Sequence, residues 1–356
     1  MLDITKTQHL LAAVEQKVPV STFLRDRYFP TNPSEDVFNT TNVLVEYKDG
    51  SKRMAPFVSP RKNGVVILRD GYTTNSYAPA NIAPKRPLYV DDLQKKGFGE
   101  ALFSDLSPAQ RQMALITRDL DELDEMISNR EEWMAAQTML NNGCVMKHYA
   151  DKGDEYEEKE IRFYDEPANP AIYTPSVKWD QSGHDIIGDI SAIAESMTEN
   201  GNDATEVIVG ADVADVILND EAILKLLDIR NYDIGRIAPA ELPGYGATMI
   251  ARGLSFKGHR MDIISYTAKI ENEAGVLEYY LPAKQIVVTT PNAGRTAYGC
   301  VTQVEQSDGE FHSYPGRRVP HYVSSADGNS RTVTLTAAPL MMPRKKNAFV
   351  AATVLS

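Results

Sequence analysis

Cysteine is nearly absent: Cys144 and Cys300 are the only two in 356 residues. Two are too few for a disulfide framework or a zinc site, and they read as buried or idle thiols in a reducing compartment. No run of eighteen apolar residues occurs, which excludes a membrane-spanning helix. The opening MLDITKTQHLLAAVEQK has neither a basic first region nor a long apolar core, so it does not read as a secretory signal. Positive charge is in deficit, with 37 Lys and Arg against 49 Asp and Glu and a formal net charge of -12. Binding phosphate backbones takes exposed Lys and Arg, so this balance disfavours general nucleic-acid binding and favours solubility and repulsion between copies.

Chemistry-bearing motifs are equally scarce. The six histidines, His9, His148, His184, His259, His312 and His321, show no H-x-x-x-H or H-x-H spacing, and no metal-ligand pattern emerges. Gly253-Leu254-Ser255-Phe256-Lys257-Gly258 approaches a serine-hydrolase elbow, but Lys257 stands where the tight turn needs glycine, and the stretch reads as a loop between strands. Pro243-Gly244-Tyr245-Gly246-Ala247 lacks the Lys and Ser/Thr of a phosphate loop. His312–Arg318 mixes basic and aromatic residues as single-strand binders do, but it is short and isolated and reads as a loop or subunit contact. No catalytic, cofactor or metal site is expected.

What is present is shape. A hydrophobic fraction of 42% and a charged fraction of 24% suit a globular chain of two domains or more. Asp3–Gln16 has helical spacing, and Thr22–Phe29 is a short apolar piece stopped by Pro30. Residues 43–90 carry strands at Val43–Tyr47 and Val65–Leu68 among many prolines, with little apolar content for a core. Ser107-Pro108-Ala109-Gln110 is a helix start with a capping box, and the helix can run to Gly143 as its terminating glycine. Met113, Ile116, Leu120, Leu123 and Ile127 form its buried stripe, while Asp119, Asp121, Glu122, Asp124 and Glu125 form a solvated acidic face. Val145–Tyr149 and Ile161–Tyr164 predict a β-hairpin around the charged stretch 151–160. Residues 182–290 read as a compact α/β unit: a helix over Ile186–Met197, a buried strand at 206–210, helices at Ala211–Leu218 and Asp220–Leu227, and strands at Thr248–Ala251, Met261–Tyr266 and Ile286–Thr289. Residues 301–335 read as loop-rich, with strands again at Arg331–Ala337 and Phe349–Leu355. Several of these elements cannot be stable alone, which points to burial against other copies.

The order of parts resembles a tailed-phage major capsid protein of the Hong Kong 97-type fold, and more narrowly the lambda-type (protein E) family. The resemblance rests on Thr7–Lys17 with Phe23-Leu24-Arg25 and Tyr28-Phe29; on Phe57-Val58-Ser59-Pro60 with Gly64–Ile67, Pro84 and Pro87; and on Tyr280-Leu281-Pro282. It rests further on Arg295-Thr296-Ala297-Tyr298-Gly299-Cys300, close to the family's R-T-Y-G-C with Ala297 inserted, and on Ala337–Met341 with Phe349-Val350.

That resemblance implies an α+β fold with an N-terminal arm (1–42), an extended E-loop (43–98), a P-domain (99–180), an A-domain (181–300) and a C-terminal return (301–356). The P-domain would hold a spine helix (107–142) and a β-arm (143–166). It implies self-assembly into an icosahedral shell of hexamers and pentamers around double-stranded DNA, with portal, scaffold and decoration proteins as partners and only non-specific contact with the packaged DNA. It implies no enzyme activity, no cofactor and no membrane, and a virion protein made in the bacterial host cytoplasm. No long helical extension precedes the arm, which predicts a separate scaffold or none. The basic stretch 49–64, DGSKRMAPFVSPRKNG, then becomes a contact between subunits: Lys52, Arg53, Arg61 and Lys62 would meet a neighbour's carboxylates, those of Asp119, Glu122, Asp124 and Glu125 among them, while Phe57 and Val58 are buried. The competing readings are a non-viral compartment shell of the same fold and an enzyme on residues 182–290.

Overall fold

The computed structural model describes residues 20–47, 73–94, 107–149, 156–164, 171–226, 245–305, 309–325 and 330–356. The expected helix Asp3–Gln16, the strand Val65–Leu68 and the basic stretch 49–64 with Lys52, Arg53, Phe57, Val58, Arg61 and Lys62 lie outside the described residues.

The long helix spans Pro108–Asn141, 34 residues, on the order of 50 Å at 1.5 Å per residue. Its start is closed by the expected capping box: the Gln110 amide donates to Ser107 Oγ at 3.3 Å, and the Ser107 amide donates to Gln110 Oε1 at 2.9 Å. Its end differs from expectation. The left-handed cap is Asn142, φ 59°, not Gly143. Gly143 instead opens the hairpin at φ 152°, where an added Cβ would lie 1.9 Å from the Ile161 carbonyl oxygen. Glycine is required there by close backbone approach rather than by helix termination.

The helix changes partners along its length. Leu123 and Ile127 are buried under Val333, Leu335 and Ala337, with Ile116 and Leu120 half-buried beside them. Val333 and Leu335 belong to Ser330–Thr336, the centre of a three-stranded sheet with Val319–Ser324 and Lys85–Tyr89. Met113, expected in the stripe, is 68% exposed, because the apolar cover among the described residues begins at Ile116. Further on, Met134, Ala135, Ala136, Met139 and Leu140 enter a second and larger core.

That core lies on one face of a mixed six-stranded sheet in the order Ala171–Tyr173, Val350–Thr353, Gln285–Thr289, Glu206–Val209, His259–Tyr266, Ala247–Phe256. The pairs 350–353 with 171–173 and 206–209 with 259–266 are parallel, and the others are antiparallel. Side chains alternate between faces, as strand geometry requires. Ile208, Ile264, Val287 and Ala351 meet the long helix's core. Val207, Val209, Ile263, Ile286, Val288 and Val350 share the opposite core with Ile190, Ile193 and Met197 of the helix Ile186–Glu199 and Val213 and Ile217 of the helix Ala211–Asn219. Two strands of this sheet come from outside 181–300.

Other expectations are corrected. Thr73–Tyr77, polar and aromatic and given no element above, is the strand that pairs with Val43–Tyr47. The second hairpin strand is Tyr156–Arg162, so Glu157–Glu160 lie in the ladder, with Glu158 opposite Lys147. Ser255 sits within the strand Ala247–Phe256, and only Lys257 and Gly258, φ 45° and 98°, make the turn. Residues 301–335 hold a hairpin of Val301–Val304 with Phe311–Tyr314 and the strands 319–324 and 330–336. These strands keep one face in solvent, so their apolar content is low and they resemble loop.

Candidate functional site

Phe23–Tyr28 is a helix of six residues, too short to persist unaided. It is fixed by burial of Phe23, Leu24, Tyr28 and the following Phe29, whose ring stacks on Phe349 with centroids 5.2 Å apart. Its N-cap residue, Thr22, makes no side-chain cap. The orphan amides of the first turn are met from the long helix instead: Leu24 and Arg25 donate to Glu132 Oε1 and Oε2 at 2.7 and 2.9 Å. A carboxyl group whose two oxygens accept there satisfies the free donors of a helix N-terminus.

Two more buried acids complete the junction. Glu131 accepts from Arg25 Nη1 at 2.9 Å, from Arg318 Nη1 and Nη2 at 2.7 and 2.9 Å, and from Tyr298 Oη at 3.0 Å. Glu206 accepts from both Arg27 Nε, at 2.8 Å, and Arg27 Nη2, and from Tyr28 Oη at 2.6 Å. Burial pushes the Tyr28 hydroxyl up, and the adjacent Glu206 carboxylate adds to this. These clamps join the helix Phe23–Tyr28, the long helix, the six-stranded sheet and the strand Gly294–Tyr298 into one body. Arg318 ends a stretch expected as a loop or subunit contact; it lies in the loop before Val319–Ser324, and its guanidinium turns inward to Glu131 and Asp124.

The acidic helix face is likewise not simply solvated. Asp119 is buried, and Arg86 of the strand Lys85–Tyr89 donates to Asp119 Oδ1 at 2.9 Å and to Glu122. Arg118 adds a contact to Glu122 at 3.2 Å. The Arg86 guanidinium holds the Glu122 carboxyl below its ordinary range. Asp124 engages Arg318, and Glu125 is half-buried on the same stretch. Asp119, Glu122 and Asp124 therefore fix the long helix to its own chain.

Glu131 and Glu132 were missed as functional residues. A signal existed: Glu131 falls four residues after Ile127, on the apolar stripe itself. Among the described residues, no group of three or more His, Cys, Asp or Glu is placed to hold a metal, and no helix is long and apolar enough to cross a membrane. The arrangement tethers and positions extended elements.

A family model described as phage major capsid protein E matches residues 6–354. The chain belongs to this family. The major capsid protein of Escherichia phage lambda is 25% identical to it over 353 residues, 97% of each chain. That of Enterobacteria phage P21 is 25% identical over 352 residues, again 97% of each. Among solved structures, a prophage capsid protein from Escherichia coli CFT073 superposes with a TM-score of 0.62 at 18% identity, covering 98% of this chain and 99% of that one. The fold is the Hong Kong 97-type, α+β, as the family resemblance implied. The family is structural, and the reading of 182–290 as an enzyme is set aside.

Proposed function

We propose that the chain is the major capsid subunit of a tailed phage or prophage and assembles, through hexamers and pentamers, into an icosahedral shell around packaged double-stranded DNA. The observation that carries this is the match of nearly the entire chain, residues 6–354, to the capsid family. The relatives are phage proteins, which favours a viral shell over a non-viral compartment. In this reading residues 1–42 are the arm, 43–98 the E-loop, 99–180 the P-domain, 181–300 the A-domain and 301–356 the C-terminal return. Portal, scaffold and decoration proteins are partners, contact with the packaged DNA is non-specific, and the subunit is made in the host cytoplasm.

The basic E-loop stretch is the inter-subunit contact in this proposal. Lys52, Arg53, Arg61 and Lys62 approach a neighbour's helix face at Asp119, Glu122, Asp124 and Glu125, and Phe57 and Val58 supply buried apolar area. Arg86 and Arg318 already engage three of those acids within the chain, so the loop's charges join existing networks rather than forming isolated pairs. Expression of the chain, alone and with its neighbouring genes, followed by negative-stain electron microscopy tests the proposal. Closed shells or five- and six-membered rings support it. A persistent small monomer under all these conditions overturns it.

A further inference from the structure

Glu132 stands apart from the other two buried acids. It is fully buried, yet among the described residues no guanidinium or ammonium bonds to it. Arg25, whose own amide bonds to Glu132, sends Nη1 to Glu131 and Nε to Asp26. An unpaired buried charge is strongly unfavourable, and such a group favours its neutral form.

The oxygen atoms around it point the same way. Glu132 Oε1 lies 2.6 Å from Tyr266 Oη. Tyr266 Oη lies 2.8 Å from Ser21 Oγ. Ser21 Oγ lies 2.8 Å from the Tyr245 carbonyl oxygen. Three oxygen–oxygen contacts at hydrogen-bond distance need three protons. The hydroxyls of Tyr266 and Ser21 supply two, and the final acceptor, a carbonyl, supplies none. The third proton has one remaining source, the carboxyl of Glu132. With it the chain is complete and directional: Glu132 donates to Tyr266, Tyr266 to Ser21, and Ser21 to the Tyr245 carbonyl. Without it, one contact has two lone pairs facing each other.

We propose that Glu132 is a proton-dependent latch for the arm: the neutral acid seats Ser21 and the helix Phe23–Tyr28 on the long helix, and loss of its proton releases them. Among the described residues, the ionisable groups that act on it are Arg25 on the short helix, Tyr266 on the strand His259–Tyr266, and Tyr280, with Glu131 next to it in sequence. Tyr280 is committed to Asn129 at 3.2 Å, and Glu131 is matched by Arg25 and Arg318. Burial pushes the Glu132 carboxyl up to about 7, against the opposing pull of Tyr266, the two amides and Arg25. A carboxyl whose value is raised in the seated state favours that state fully below its ordinary range. The benefit is lost as pH rises through the seated value. Between pH 5 and pH 8 release should become easier on the order of 10²-fold.

The test is hydrogen–deuterium exchange of the free subunit, read by mass spectrometry on peptides covering residues 20–28 and corrected for the intrinsic pH dependence of exchange. In the wild type, protection of this segment should fall on the order of 10²-fold from pH 5 to pH 8, while peptides from Ile186–Glu199 show no such fall. Glu132→Gln, which removes the titrating proton but leaves one of the Leu24 and Arg25 amides without its acceptor, should lower protection and make it constant between pH 5 and pH 8. Ser21→Ala, which removes the end of the oxygen chain and leaves the apolar packing in place, should shrink the fall to about tenfold or less. Constant wild-type protection overturns the latch without any variant. So does a Ser21→Ala subunit with the full wild-type fall. Because the measurement uses unassembled subunits, its failure leaves the capsid assignment standing.

Discussion

Arg318→Met probes the junction most directly. The substitution keeps an aliphatic stem and removes the two donors that Arg318 places on Glu131 at 2.7 and 2.9 Å. Removing one partner of a buried ion pair costs about 3–5 kcal/mol when the survivor is left alone. Glu131 is not left alone, since Arg25 Nη1 and Tyr298 Oη remain at 2.9 and 3.0 Å. The expected loss is therefore smaller, about 2–3 kcal/mol. Urea unfolding of the free subunit at pH 7 measures it, with fluorescence of Trp133, one residue past Glu132, and of Trp179, buried in the opposite core. Separate transitions for the two cores would call for fitting each by itself. The cause is checked by adding Glu131→Gln. If the loss comes from a stranded charge, the double variant is no less stable than Arg318→Met alone. Additive losses, or a loss below about 0.5 kcal/mol for Arg318→Met, would refute the reasoning.

Three further outcomes are expected. Gly143→Ala should cost about 2 kcal/mol or more, because a methyl group there meets the Ile161 carbonyl; an unchanged thermal midpoint would show that the hairpin yields freely. Reversing charge with Arg61→Glu and Lys62→Glu should weaken assembly while circular dichroism of the subunit stays unchanged; normal shells by electron microscopy would remove these residues from the contact. The Glu122 carboxyl, held low by Arg86, contributes stability above its ordinary range that is lost as pH falls through its lowered value. Arg86→Gln should flatten that part of the acid-denaturation curve, and an unchanged curve would count against the pairing.

The parts legible in the sequence are those whose causes are local. The capping box at Ser107 and Gln110, the buried strand Glu206–Val209 and the helices after it follow from neighbours within a few positions. The terminating residue was misplaced by one because Asn142 and Gly143 both tolerate unusual backbone angles, and the deciding constraint, the Ile161 carbonyl, comes from the returning strand. The strands Thr73–Tyr77 and Phe311–Tyr314 were invisible because half-solvated hairpins lack apolar alternation. Glu131 shows itself in the sequence only by its place on the apolar stripe, and Glu132 not at all. Their burial depends on Leu24, Arg25, Tyr266, Tyr298 and Arg318, brought in from three distant parts of the chain. The family resemblance supplied the architecture, but it carried no information about these clamps.

The strand Val350–Thr353 lies between Ala171–Tyr173 and Gln285–Thr289, with Val350, Ala351 and Ala352 buried. An interior position for so late a segment has a consequence during synthesis. A nascent chain that has made residues 171–289 still has an open gap in its main sheet, with the edge of Gln285–Thr289 unpaired. Closure waits for residues beyond 350 to emerge. A polypeptide that stops short of them cannot complete the sheet on which the long helix packs. Premature termination before residue 350 therefore leaves a subunit whose main sheet is divided, with Ala171–Tyr173 cut off from Gln285–Thr289.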